Sequence, residues 1–147
     1  MASFVYTPWK TKLLTGAVNL TEGQNDIRAL LVMTNTTADT EQDTQFIGGL
    51  TTLDEMDGAN YARKTFASQA VAEDAANNRA EFDGENFTWT ALGAGTRQIA
   101  GVVIFRFITN DAASELITYI DSGGFPFTAN GGDFTITWNA EGIVQTT

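Results

Sequence analysis

The chain has 147 residues, no Cys, no His and a formal net charge of −10, from 18 acidic and 8 basic side chains. Lacking Cys and His, it has no disulfide, no Cys–His or Ser–His nucleophilic pair, no thiolate zinc site and no histidine proton shuttle. So negative a body is repelled by nucleic acid and by anionic membrane surfaces, and no stretch approaches the ~20 apolar residues of a membrane span.

Phe4, Tyr6 and Trp9 place three aromatics in an otherwise polar N-terminal stretch, which lacks the basic-then-apolar pattern of a signal peptide. Two readings stand for these aromatics. In one, residues 1–9 form an arm that anchors on a partner, as aromatic hot spots do; in the other, the arm folds back and caps the core. Thr7-Pro8 predicts a short helix over residues 9–14, with Thr7 as cap, Pro8 in the first turn and Gly16 as the stop.

Residues 26–33, with the run Ala29-Leu30-Leu31-Val32-Met33, predict the first strong strand, followed by a polar, acidic loop over 34–43. Residues 46–50 form a short element of undecided type. Thr52-Leu53-Asp54-Glu55 fits a capping box and predicts one helical turn before Gly58. Residues 61–71 read as a second strand and 73–78 as a turn. Residues 79–83 and 87–90 read as short strands about the turn signal Asp83-Gly84.

Residues 98–109 are apolar on both faces: Ile99, Gly101, Val103, Phe105 and Phe107 on one, Val102, Ile104 and Ile108 with Arg106 on the other. That pattern predicts a central strand covered on both sides. With a strand over 115–121 it makes a hairpin. A Gly-rich connector spans 122–132. Residues 133–138 alternate, with Phe134, Ile136 and Trp138 on one face, and 142–145 close the chain. Several short strands separated by turns predict an all-β fold, a mainly antiparallel sandwich or small barrel with one or two short helices, in a single domain over 1–147.

Candidate chemistry is sparse. Asp121-Ser122-Gly123 follows an apolar strand like an aspartic-protease loop, but that chemistry needs a second carboxylate sharing a proton. A strand ending in an Asp-type turn explains the same residues. Acidic clusters at Asp39-Glu41-Asp43, Asp54-Glu55-Asp57 and Glu81-Asp83-Glu85 do not match the EF-hand spacing and read as solvated surface. Gly93-Ala94-Gly95-Thr96 lacks the Lys-Ser/Thr of a phosphate loop. Aromatic richness leaves a carbohydrate-binding module open, since sugar faces stack on exposed rings. No catalytic residue, cofactor or metal is expected.

The succession Asp26-Ile27-Arg28-Ala29-Leu30-Leu31, an acidic loop, Leu53-Asp54-Glu55-Met56 and Gly58-Ala59-Asn60-Tyr61-Ala62-Arg63-Lys64 resembles small virion proteins of tailed bacteriophages. Phe87-Thr88-Trp89-Thr90-Ala91-Leu92, the hairpin and the closing Asp133-Phe134-Thr135-Ile136 with Glu141-Gly142-Ile143 extend the likeness over residues 26–145. Tyr61 and Arg63 match the recurring Gly-x-x-Tyr-x-Arg segment, either as interface or as structure. The resemblance implies a capsid decoration (cement) protein that bridges subunits of the major capsid protein. It further implies a homo-oligomer, a trimer by preference, on the outer capsid surface, made in the host cytoplasm and touching neither nucleic acid nor membrane. Tail or neck components of similar size are the alternative within the same class.

Overall fold

The computed structural model describes residues 3–21 and 23–146. Thirty-six per cent of the chain is strand, in antiparallel sheets, and 8% is helix. The elements in chain order are β1 (Phe4–Val5), α1 (Thr7–Thr15), β2 (Asp26–Met33), a 3-10 turn (Ile47–Gly49), β3 (Lys64–Thr65), β4 (Gln69–Asp74), β5 (Arg79–Gly84), β6 (Phe87–Trp89), β7 (Ile99–Phe107), β8 (Glu115–Ile120), β9 (Phe134–Ile136) and β10 (Val144–Thr146). They form a five-stranded sheet in the order β1-β8-β7-β2-β3, a three-stranded sheet β10-β5-β4 and a two-stranded ribbon β6-β9.

The doubly apolar strand sits where its pattern demands. β7 is the middle strand of the large sheet, flanked by β8 and β2. Ile99 and residues 101–105 are all buried. β2 matches its expected bounds and contributes Ile27, Leu30, Leu31 and Val32, each fully buried. Covering these side chains from both faces is the main driving force for folding. Gly101 permits a close approach in this sheet. A Cβ there would stand 2.7 Å from the Ile120 carbonyl oxygen and 2.8 Å from the Tyr119 ring.

Helix α1 starts two residues before the expected Trp9, and its cap lies one residue before the expected Thr7. Tyr6, not Thr7, is the N-cap and offers no side-chain cap; Pro8 lies in the first turn. Gly16 ends the helix in the left-handed conformation at φ 66°, with its N–H bonded back to Leu13.

Three sequence expectations fail, each for a physical reason. The capping-box turn at 52–55 is not helical: Asp54 has φ 47° and Glu55 makes an antiparallel bridge to Val32. The edge of β2 beyond β3 instead takes up this segment, with Met33 N–H on the Asp54 carbonyl at 2.7 Å and Met56 N–H on the Leu31 carbonyl at 2.9 Å. Backbone bonds to β2 outweigh a one-turn propensity.

The expected strand over 61–71 splits into β3 and β4, which belong to different sheets. Phe66 is the cause. Its ring is 3% exposed and packs on Phe87 at 4.4 Å, Phe82 at 5.9 Å and Trp138 at 5.9 Å between centroids. The chain turns there to bury the ring against Gly84, where a Cβ would stand 2.3 Å from a ring carbon.

Asp83-Gly84 is no turn. Both residues lie in β5, paired with β4 and β10, while β6 finds its partner in β9. The absence of a Cβ at Gly84 serves the Phe66 packing, not a hairpin bend.

Candidate functional site

Arg63 is the most heavily engaged side chain of the expected partner-binding set. It stands in the segment leading into β3 and reaches two carboxylates from distant parts of the chain. Its Nε and Nη2 donate to Glu55 Oε1 and Oε2 at 2.8 and 2.6 Å; its Nη1 and Nη2 donate to Asp111 Oδ1 and Oδ2 at 2.6 and 2.9 Å. Both contacts are two-point, the geometry that suits a guanidinium and not an ammonium. The guanidinium carbon also lies 5.4 Å from the Phe105 ring centroid.

Tyr61 completes the cluster. Its hydroxyl donates to Glu55 Oε1 at 2.8 Å and accepts the Leu31 N–H at 3.1 Å. Burial, with Glu55 beside it, pushes the phenol well above its usual range. The hydrogen bonds from Arg63 hold the Asp111 carboxyl below the ordinary carboxylate range, and the two carboxylates raise Arg63 further. Tyr61 and Arg63 therefore fasten the 55–63 segment to β2 and to the turn after β7.

The acidic cluster at 54–57 is bound up in the same way. Asp54 accepts from Arg97 Nε at 3.0 Å and from the Asn35 N–H at 2.8 Å, which lowers its carboxyl; Arg97 Nη2 is in contact as well. Asp57 accepts from the Thr96 N–H and hydroxyl, both at 2.8 Å. These bonds tie down the Gly-rich 93–96 loop. Gly58 sits beneath it so closely that a Cβ would stand 2.2 Å from the Gly93 carbonyl oxygen. No group of carboxylates among the described residues is placed to hold a metal ion.

A second charge cluster lies under helix α1. Glu115, the first residue of β8, is 3% exposed. Its carboxylate contacts Lys12 of α1, takes an ion pair from Arg106 Nη2 at 2.6 Å and lies 3.4 Å from Gln45 Nε2. Arg106 in turn lies 5.9 Å from the Trp9 ring centroid and donates to Asn25 at 3.1 Å. Sequence reasoning missed Glu115. The available signal was Arg106, a lone cation on an apolar strand face, which requires a buried counter-charge; the β7–β8 register places Glu115 directly opposite.

Of the N-terminal aromatics, Tyr6 and Trp9 belong to the core and Phe4, partly buried, packs against it. Tyr6 is fully buried and Trp9 is 1% exposed. The Tyr6 N–H bonds the Ile117 carbonyl at 2.9 Å and its hydroxyl bonds the Ala38 carbonyl at 2.7 Å. Phe4 pairs with Tyr119 across β1–β8, and its ring lies 5.1 Å from that of Tyr6 and 5.8 Å from that of Tyr119. This is the second of the two readings of the arm, folded back on the core, and the burial of Tyr6 and Trp9 leaves neither ring exposed to anchor a partner.

Asp121, at the end of β8, holds Ser3: its N–H donates to Ser3 Oγ at 3.2 Å and Ser3 Oγ donates to its carboxylate at 3.3 Å. Beside it opens a cleft of about 420 Å³, lined by Phe125, Ile136, Trp138 and Ile143 with Ser122, Thr137 and Asn139 at its polar positions. Trp138 is fixed by its indole N–H, which donates to the Glu85 carbonyl at 2.8 Å. Trp89 is 1% exposed and stacks on Phe134 at 5.8 Å, so it is a core ring.

Comparison with known proteins finds no counterpart for this arrangement: no family model, no curated protein and no solved structure matches the chain.

Proposed function

We propose that this protein is a structural virion component, a decoration protein that binds the outer surface of a phage head and stabilises the shell by bridging copies of the major capsid protein. The observation that carries the reading is the use made of Tyr61 and Arg63. These two residues match the recurring segment of the phage proteins that the sequence resembles. Here they close a charge clamp joining the 55–63 segment, β2 and the turn at Asp111. A cement protein has to resist shear between neighbouring subunits, and loops braced by two-point ion pairs give a stiff contact surface at little entropic cost on binding. The surplus of 18 acidic over 8 basic residues suits the outside of a DNA-filled shell, where attraction to nucleic acid would compete with capsid binding. A contact of about 800 Å² per partner is ordinary for such docking, and a homo-oligomer multiplies weak contacts through avidity.

Co-sedimentation with DNA-free shells assembled from the major capsid protein tests this reading. Saturable binding with a fixed copy number per subunit is expected; shells that pellet without the protein at micromolar concentration overturn it.

A host-adhesion module for carbohydrate is the second reading, and the cleft beside Trp138 favours it. Its aromatic and aliphatic walls carry hydroxyl and amide groups within one concavity. A glycan array with the unmodified protein and Trp138→Ala separates the two: binding lost in the variant supports adhesion, and no binding by the unmodified protein removes it.

A further inference from the structure

Strand β4 is a free edge of the β10-β5-β4 sheet among the described residues. Residues 70–73 of this strand are exposed, Val71 by 51%. Edge strands are ordinarily blunted by charged side chains, Lys above all, by Pro or by a bulge. β4, Gln-Ala-Val-Ala-Glu-Asp, has no Lys or Pro, carries charge only at its last two residues and pairs with β5 without a register shift. Residues 67–72 carry no charge in a chain of net charge −10.

The outward backbone groups can be identified. Glu85 N–H donates to the Ser68 carbonyl at 3.3 Å, and these residues stand opposite each other when the Gln69–Gly84 register is continued. Even-numbered residues of β4 therefore turn their N–H and C=O to β5. The other side of β5 agrees: the carbonyl of Phe82, an even-numbered residue, accepts the Ile143 N–H at 2.7 Å and so faces β10. Gln69, Val71 and Glu73 are left with backbone groups pointing into the free edge.

We propose that β4 pairs antiparallel with β4 of a second copy of this chain, with Val71 on the two-fold axis, fusing two three-stranded sheets into one of six strands. Val71 then faces the partner's Val71, and Gln69 faces the partner's Glu73. This register alone matches all three outward residues of one strand with those of the other. It gives about six backbone hydrogen bonds. It also keeps the two Glu73 carboxylates four residues apart along the ladder, about 13 Å, beyond the ~8 Å screening length at physiological salt. Moving the axis to Glu73 would set like charges face to face. A two-fold interface of this kind closes on itself and leaves no growing edge at β4. It gives a dimer where the resemblance implies a trimer, and it does not depend on the capsid reading.

Light scattering at about 100 μM is expected to give twice the 15.8 kDa chain mass. Val71→Pro removes an outward N–H without touching a bond to β5, and Val71→Glu places two carboxylates on the axis. Each should weaken the dimer at least ten-fold while circular dichroism stays that of the folded protein; if the proline variant fails to fold, the glutamate variant carries the test. In a chain without cysteine, Val71→Cys should oxidise to a covalent dimer and Ala72→Cys should not. A monomeric wild type, a trimeric mass, or a dimer unmoved by Val71→Glu overturns the proposal.

Discussion

Arg63 and Asp111 lie 48 residues apart in the chain and meet through two hydrogen bonds, at 2.6 and 2.9 Å. The same guanidinium holds Glu55, so a single side chain couples three segments.

Arg63→Lys keeps the charge but loses the planar fork. The variant should be about 2 kcal/mol less stable than the parent in urea unfolding, because an ammonium cannot serve two carboxylates at two points each. A midpoint equal to that of the parent would show that the clamp contributes nothing.

Acid should weaken the clamp. Asp111 and Asp54 have carboxyls lowered in the folded protein by hydrogen bonds from Arg63 and Arg97 respectively. Groups lowered on folding add stability in full above their unfolded value, about 3.9, and lose it as the pH falls through the folded value. Unfolding free energy should therefore drop from about pH 5 downward. Asp111→Asn should show a shallower drop over the same range, measured by thermal unfolding at stepped pH. Identical slopes for the two proteins would contradict the assignment.

Deletion of residues 1–9 should cost the fold as well as any contact, since it removes Tyr6 and Trp9 from the core. Trp9→Ala should destabilise by about 3–5 kcal/mol. A deletion variant with native near-ultraviolet dichroism and an unchanged melting temperature would count against this placement.

Glu115→Gln should be destabilising by about 3 kcal/mol, because Lys12 and Arg106 lose the carboxylate between them in a buried setting. Loss of helix α1 docking should appear first as a blue-to-red shift of Trp9 fluorescence. A variant as stable as the parent would mean that the two cations find water instead.

Periodicity made the large sheet legible. β2 and the β7–β8 hairpin follow from apolar runs whose side chains have nowhere to go but between layers. Gly16 marked the end of α1 for a local backbone reason. The strands over 79–83, 87–90 and 133–138 were legible as well, but their pairing and the split of 61–71 were not, because the break at Phe66 answers to rings at positions 82, 87 and 138, none of them near in sequence. The same holds for the charge clusters. Tyr61 and Arg63 were singled out by the motif they share, while Glu55, Asp111 and Glu115 become identifiable as partners only through long-range register.

Reconstruction of the purified phage particle by cryo-electron microscopy tests the capsid reading most directly. Density for a β-rich module of 147 residues is expected at repeated positions on the outer head surface, each copy touching at least two capsid subunits. Density confined to the tail, or a head surface bare of the protein, would contradict it.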